Sequence, residues 1–418
     1  MRVVKHAVAG ALLALAVACA SAPAEPPRHP ATPSPVVAGN DAQILVDGPR
    51  THQAMFAAMA AARDSINLET YILEGGEIGE RLAALVAKKV KQGVKVNILY
   101  DSVGSIGTPK EYFDQLREAG AKVCEFNPVN PAKARGSDWE LNNRNHRKIL
   151  VVDGRVAFTG GINISSAYSA GSRQSRRASQ VKPGEESAHG WRDTHVRAEG
   201  PVVARFQRAF LDGWAREDCG PVQEARYYPR LAATHGEMEM QVMTSDPGSG
   251  KSEMYGALLD AIGKARRRVW ITMGYFAPDP PTVQALVGAA KRGVDVRLVL
   301  PGFSDFWAPV YAARSHYAEL LEGGVRIHEW NKALLHAKTA VIDDDWSSIG
   351  STNLDWRSFV HNYEADLVVH DAGFNARMER LFREDVASSV ERKKDEWRQR
   401  GATERVKEWI ARRWEYLL

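Results

Sequence analysis

The sequence predicts an α/β protein of two duplicated lobes, each a mixed, largely parallel sheet flanked by helices, packed about a pseudo-twofold axis. Three observations carry this. One order of strand, helix and glycine turn is written twice after residue 40. The glycines that end the helices recur at a nearly constant offset. One polar motif occupies the same place in both copies. Strands alternating with helices imply βαβ units and parallel pairing.

In chain order, Arg2 and Lys5 precede an apolar run, Ala7 to Ala18, which is too short to span a bilayer and reads as an export signal over residues 1–19. "LAVAC", Leu15 to Cys19, resembles the lipobox of bacterial lipoproteins, which implies acylation of Cys19, although Ala16 stands where leucine is usual; plain secretion or an uncleaved anchor is the alternative. Residues 20–40 are rich in Pro, Ala and Ser and read as a tether. The first lobe is expected over 41–235 and the second over 236–400.

"DSINLETYIL", "KQGVKVNILYD" and "LREAGAKVCEFN" in the first copy are matched in order by "RRVWITMGYF", "KRGVDVRLVLP" and "LLEGGVRIHEWN" in the second. Gly93 pairs with Gly293 and Gly120 with Gly324, each placed to end a helix. After these come "NHRKILVVDGRVAFTGGIN" and "LHAKTAVIDDDWSSIGSTN". His146, Lys148, Asp153, Gly160 and Asn163 thus recur at identical spacing as His336, Lys338, Asp343, Gly350 and Asn353. One such motif is a weak signal. Two in equivalent places of a repeat are strong.

On a strand His146 and Lys148 share a face, while Asp153 opens a "DG" turn. The candidate catalytic set is therefore His146, Lys148, Asp153 with His336, Lys338, Asp343, the aspartates in a supporting role at the hairpins. If both lobes bring their motifs to one cleft, two imidazoles, two ammonium groups and two amides surround a phosphodiester. One neutral imidazole can attack phosphorus while the other, protonated, serves the departing oxygen. The lysines and asparagines supply positive ends where a metalloenzyme would use cations. Asn163 and Asn353 are the candidate phosphate ligands, and Asp193 in "WRDTHVRAEGP" and Glu364 in "HNYEADLVV" the candidate orienters of the histidines. No metal and no cofactor are expected: His189 and His195 have no zinc-spaced partners and read as surface or loop residues.

With these residues in place, the sequence resembles the phospholipase D superfamily, whose signature is the paired HxKxxxxD with a trailing GxxN. The flanks "YDSVGS", "WRDTHVRAEGP", "GYFAPD" and "GSTNLDWRSF" are similar to bacterial cardiolipin synthases, over roughly residues 41 to 400. The resemblance implies a two-step reaction, with His146 taking a phosphatidyl group and His336 serving as acid and then base. A second phosphatidylglycerol as acceptor yields cardiolipin, and water yields phosphatidic acid. It implies a phospholipid substrate, a membrane surface as partner, and a bacterial envelope location, anchored and periplasm-facing. The chain is expected to be monomeric, since both half-sites lie in one chain.

Composition bounds the rivals. Fifty-five basic residues against 51 acidic give a net charge of +4, too balanced for a typical nucleic-acid protein. A secreted nuclease or phosphodiesterase of the same superfamily is the weaker alternative. A lipid-binding lipoprotein without turnover is another, but it would be expected to have lost a motif residue, and none of the ten is missing.

Three features stay open. Cys124 and Cys219 can pair in an oxidising compartment. The loop Ser166 to Gly190, with Arg173, Arg176 and Arg177, either meets anionic head groups or is merely solvated. In 401–418, Val406, Trp409, Ile410, Trp414 and Leu417 recur at helical spacing beside Arg405, Lys407, Arg412 and Arg413. Such a helix either lies in a membrane interface or docks on the protein's own core.

Overall fold

The computed structural model describes residues 34–134, 139–172, 190–222, 227–230, 235–247, 251–304 and 307–415. Cys19, the leader, His189 and Arg173, Arg176 and Arg177 fall outside them.

The first lobe runs β1 (Val37–Val46), α1 (Asp47–Ala61), β2 (Ser65–Thr70), α2 (Glu77–Lys91), β3 (Lys95–Asp101), α3 (Lys110–Glu118), β4 (Lys122–Phe126), β5 (Ile149–Val152), β6 (Val156–Gly160), β7 (Thr194–Glu199) and α4 (Val203–Arg216). β1 begins at Val37, inside the segment expected as tether. The second lobe repeats the order: β8 (Met238–Asp246), α5 (Glu253–Lys264), β9 (Arg268–Met273), α6 (Pro280–Lys291), β10 (Asp295–Pro301), α7 (Trp307–Glu322), β11 (Arg326–Trp330), β12 (Lys338–Ile342), β13 (Trp346–Gly350), β14 (Ala365–His370) and α8 (Ala372–Ala387). It ends with β15 (Ser389–Arg392) and, after a short turn of helix, α9 (Ala402–Arg413).

Local chemistry explains these elements. In α2, Ile78, Leu82 and Val86 stand one turn apart and are buried, Glu77 and Glu80 sit at its start and three lysines at its end, complementing the helix dipole. Asp279 caps α6 by accepting the Thr282 N–H at 3.1 Å. Gly93 and Gly293 follow α2 and α6 with φ +87° each, a conformation that favours glycine and ends the helix.

A single mixed sheet runs through both lobes, in the order β4-β3-β2-β5-β6-β7-β1-β8-β14-β13-β12-β9-β10-β11-β15. β2, β3 and β4 pair in parallel, as do β9, β10 and β11. The motif strands between them and the centre are antiparallel, because hairpin turns join β5 to β6 and β12 to β13. Within this sheet parallel pairing is confined to the outer βαβ edges, a narrower share than the helix-Gly-strand pattern implies. At the centre β1 pairs antiparallel with β8, which relates the lobes as mirrored strand orders. One apolar core crosses this joint, with Ile149, Val151 and Phe206 from one lobe packed with Val341, Leu367 and Phe374 from the other. Cys124 and Cys219 form a disulfide, their Cα atoms 5.7 Å apart. Among the described residues no helix is long and apolar enough to cross a membrane.

Candidate active site

Each motif histidine lies on extended chain that crosses to the other lobe. The His146 N–H donates to the Tyr363 carbonyl at 2.9 Å, and the His336 N–H to the Arg192 carbonyl at 2.8 Å. Each acceptor immediately precedes a candidate orienting carboxylate, so two interlobe backbone bridges set the side-chain pairs.

The pairs are crosswise. His146 Nδ1 stands 2.9 Å from Glu364 of the second lobe, and His336 Nδ1 2.7 Å from Asp193 of the first. A carboxylate on Nδ1 holds its proton there and leaves Nε2 for chemistry; no described residue hydrogen-bonds either Nε2. The regular strand begins at Ile149, so His146 and Lys148 precede it.

Both lysines are buried and fold back on the motif. Lys148 Nζ donates to the His146 carbonyl at 2.6 Å, and Lys338 Nζ to the His336 carbonyl. Each also lies over an aromatic ring, Lys148 5.3 Å from Tyr71 and Lys338 5.8 Å from Tyr275. The same tyrosines meet the histidines, with ring centroids 5.1 Å apart for Tyr71 and His146 and 5.9 Å for Tyr275 and His336. Trp191 and Tyr168 add further rings around His336. Tyr71 and Tyr275 went unnoticed in the sequence, yet both follow the first strand of the outer βαβ edge in their copy, and the repeat marks them.

Burial governs the electrostatics. His146 is held well below the usual imidazole range, first by desolvation and then by the charges of Lys148 and Lys338. His336 is lowered to about 4 by desolvation and Lys338, against the pull of Asp193. Lys148 also lowers His336, as Lys338 lowers His146, so the two motifs lie within electrostatic reach of one another. Desolvation takes Lys148 down to about 7 and Lys338 to about 8. The carboxylates differ. Desolvation pushes Glu364 up to about 7, whereas Asp193, although desolvated, is lowered by His336, Lys338 and the Thr194 N–H.

The asparagines are also unequal. Asn163 Oδ1 accepts the Ile72 N–H at 3.1 Å, and its Nδ2 donates to the Tyr168 hydroxyl at 3.2 Å. The buried Asn353 Oδ1 has no partner among the described residues.

Asp153 and Asp343, grouped with the catalytic set in a supporting role at the hairpins, hold those turns and stand apart from the histidines. Seven residues of near-extended chain separate Asp153 from His146, roughly 20 Å. Asp153, at φ +52°, accepts the N–H groups of Arg63, Asp64 and Ser65, each at 2.8 Å, and Asp343 does the same for Arg266, Arg267 and Arg268. They tie hairpin turns to the starts of β2 and β9. His195, taken as a surface residue, is buried in β7, where its Nδ1 accepts the Ile162 N–H at 3.4 Å and desolvation lowers it to about 3.

Arg147 was missed and has no sequence signal. Its buried guanidinium donates to the carbonyls of Glu364, Ala209 and Ser245, clamping the lobes beside His146. The glycine beside Asp193 has a steric reason: a Cβ on Gly161 would lie 2.2 Å from Asp193 Oδ1.

A family model described as "Cardiolipin synthase, PLD-like domain" matches residues 55–174 and 258–386. Cardiolipin synthase A of Pseudomonas putida is 38% identical over 362 residues, 85% of this chain and 70% of that protein. Cardiolipin synthase 1 of Bacillus anthracis is 32% identical over 376 residues, 88% of this chain and 70% of its own. Among solved structures, a phosphatidylserine synthase of Haemophilus influenzae shares the fold, with a TM-score of 0.67 at 12% identity, covering 92% of this chain and 95% of that one.

Proposed function

The chain belongs to the cardiolipin synthase family of phospholipase D-like proteins, and on that premise we propose that it makes cardiolipin by moving a phosphatidyl group between two phosphatidylglycerol molecules. The crosswise pairing of His146 with Glu364 and His336 with Asp193 carries the reading. It gives two oriented imidazoles with free Nε2 atoms in a cleft that also holds two lysines.

In the first step His146 Nε2 attacks phosphorus, the bond to the head-group glycerol oxygen breaks, and His336 gives that oxygen its proton. Glycerol leaves and the phosphatidyl group stays on His146 through a P–N bond. In the second step His336 takes the proton of the incoming head-group hydroxyl, whose oxygen attacks phosphorus. The P–N bond breaks and neutral His146 is restored. Lys148 and Lys338, together with the amides of Asn163 and Asn353, stabilise the charge gathering on the phosphoryl oxygens. Glu364 steadies the positive charge on His146.

Residues 41–235 and 236–400 act as the two half-sites, so one chain suffices. The basic, apolar leader and Cys19 support a lipid-anchored, periplasm-facing enzyme of the bacterial envelope.

The test is to give the purified protein phosphatidylglycerol vesicles and identify products by mass spectrometry, beside a His146→Ala control. Cardiolipin with released glycerol is expected, and none from the variant. Phosphatidic acid alone would make the protein a hydrolase, and unchanged lipid would remove both readings.

A further inference from the structure

Helix α9 is built inside out. A helix on a globular protein normally turns its apolar stripe inward. Here the inward face is polar: Lys407 Nζ meets the Tyr311 hydroxyl at 3.2 Å, Glu408 pairs with Arg400 at 2.8 Å, and Glu415 just beyond the helix meets His316 Nε2 at 3.0 Å. Ala411 is the helix's buried apolar residue on this side, clustered with Ala312 and Ala277. The outward face carries Val406, Trp409, Ile410 and Trp414, exposed by 56, 62, 38 and 43%. Rolling the helix to bury Trp409 would break those polar contacts, so the apolar face is held out.

The charge on that face is one-sided. Glu408 and Glu415 are turned inward and paired, while Arg405, Arg412 and Arg413 are exposed beside the indoles. Indoles flanked by guanidinium groups match the boundary between acyl chains and anionic head groups. A second copy fits less well, since two such faces would bring their arginines together.

The helix itself sits near the site, with α7 between them. Ala277 lies two residues after Tyr275, whose ring is against His336, and Ala312 of α7 bridges Ala277 to Ala411. One helix thickness, about 10 Å, therefore separates α9 from the wall of the site. Trp307, 48% exposed, starts α7 at the carboxyl-end side of β10, the sheet edge that carries the histidines.

We propose that the outward face of α9 is an interfacial docking element that seats the cleft on an anionic phospholipid bilayer. The inference rests on the phospholipid reading of the site, and adds how a buried centre reaches substrate without extracting it far from the membrane.

The test uses the full chain with Cys19→Ser and Ile410→Cys, labelled at 410 with an environment-sensitive fluorophore; Lys95→Cys, at the amino end of β3, is the control position. Phosphatidylglycerol vesicles should shift emission at 410 to the blue and allow quenching by spin-labelled acyl chains, phosphatidylcholine vesicles much less, and position 95 should not respond. In parallel, Trp409→Ser with Trp414→Ser should lower transfer on vesicles about tenfold while turnover of monomeric short-chain phosphatidylglycerol stays near wild type. No response at 410, a blue shift without lipid that grows with protein concentration, or equal loss on both substrates overturns the proposal. Quenching at 410 without phosphatidyl transfer on either substrate would leave docking standing and sink the functional reading instead.

Discussion

Glu364→Gln separates charge from shape at the heart of the site. The glutamine keeps the length of the side chain and can still engage Ser358 and Asn362, which hold Glu364 at 2.9 and 3.1 Å. It removes the charge facing His146 Nδ1. A hydrogen bond to a charged group contributes about 1.5–3 kcal/mol, so with tenfold per 1.36 kcal/mol the loss in kcat/KM is about 10- to 150-fold where the carboxylate is ionised. Burial puts that ionisation at about 7. As pH falls below it the wild type loses the same charge, so at pH 6, with about a tenth ionised, the ratio of wild type to variant shrinks to roughly 2- to 15-fold. At pH 8 it should be near its full value. Asp193→Asn is the contrast: Asp193 is lowered and stays ionised across this range, so its ratio should be flat. The assay is kcat/KM for phosphatidyl transfer at pH 6, 7 and 8, with melting temperatures to show that both variants fold. A pH-independent ratio for Glu364→Gln, or full activity at pH 8, would refute the argument that its charge serves His146.

The lysines set an alkaline limit: Lys148 at about 7 and Lys338 at about 8 lose their protons as pH rises, so kcat/KM should fall above this window, and the limit in kcat should lie higher because a bound phosphodiester favours the ammonium forms. A single flat profile to pH 10 would contradict this. Asp153→Ala should cost about 1–3 kcal/mol in urea unfolding, through three freed N–H groups, with kcat for the folded enzyme unchanged. Cys124→Ser with Cys219→Ser opens a loop with a sequence separation of 95 and should lower unfolding free energy by roughly 4–5 kcal/mol on the chain-entropy account, read as a drop in the urea midpoint that reducing agent reproduces in the wild type.

Features that repeat in sequence were legible, because duplication made each a double signal. Gly93 and Gly293 announced matched helix ends, and they adopt the same φ. The histidines, lysines and asparagines were singled out by their repeated spacing alone. Which carboxylate serves which histidine was not legible, because that depends on how β1 joins β8 across the lobes, a long-range pairing that no local pattern encodes. His195 misled because its strand parity was not weighed against the burial of both sheet faces. Arg147 has no counterpart, since Ala337 occupies its place, so repetition was silent about it. For α9 the apolar spacing was visible, but the direction of that face was decided by Arg400 just before the helix and by Tyr311 and His316, distant in the chain.

Because the pseudo-twofold makes the two histidines equivalent in outline, any division of labour must come from where the equivalence fails. The clearest failure lies in their partners. Asp193 keeps its negative charge and raises His336 against desolvation and Lys338, which together still bring it down to about 4. His146 is lowered well below the usual imidazole range by desolvation and two lysine charges, and Glu364, ionised above about 7, faces its Nδ1. Of the two, His336 has the carboxylate that favours its protonated form, which suits the acid role proposed for it, and His146 suits attack. The proposed assignment of His146 to attack therefore leans on two equally buried carboxylates with different surroundings, each contributed by the lobe opposite its histidine.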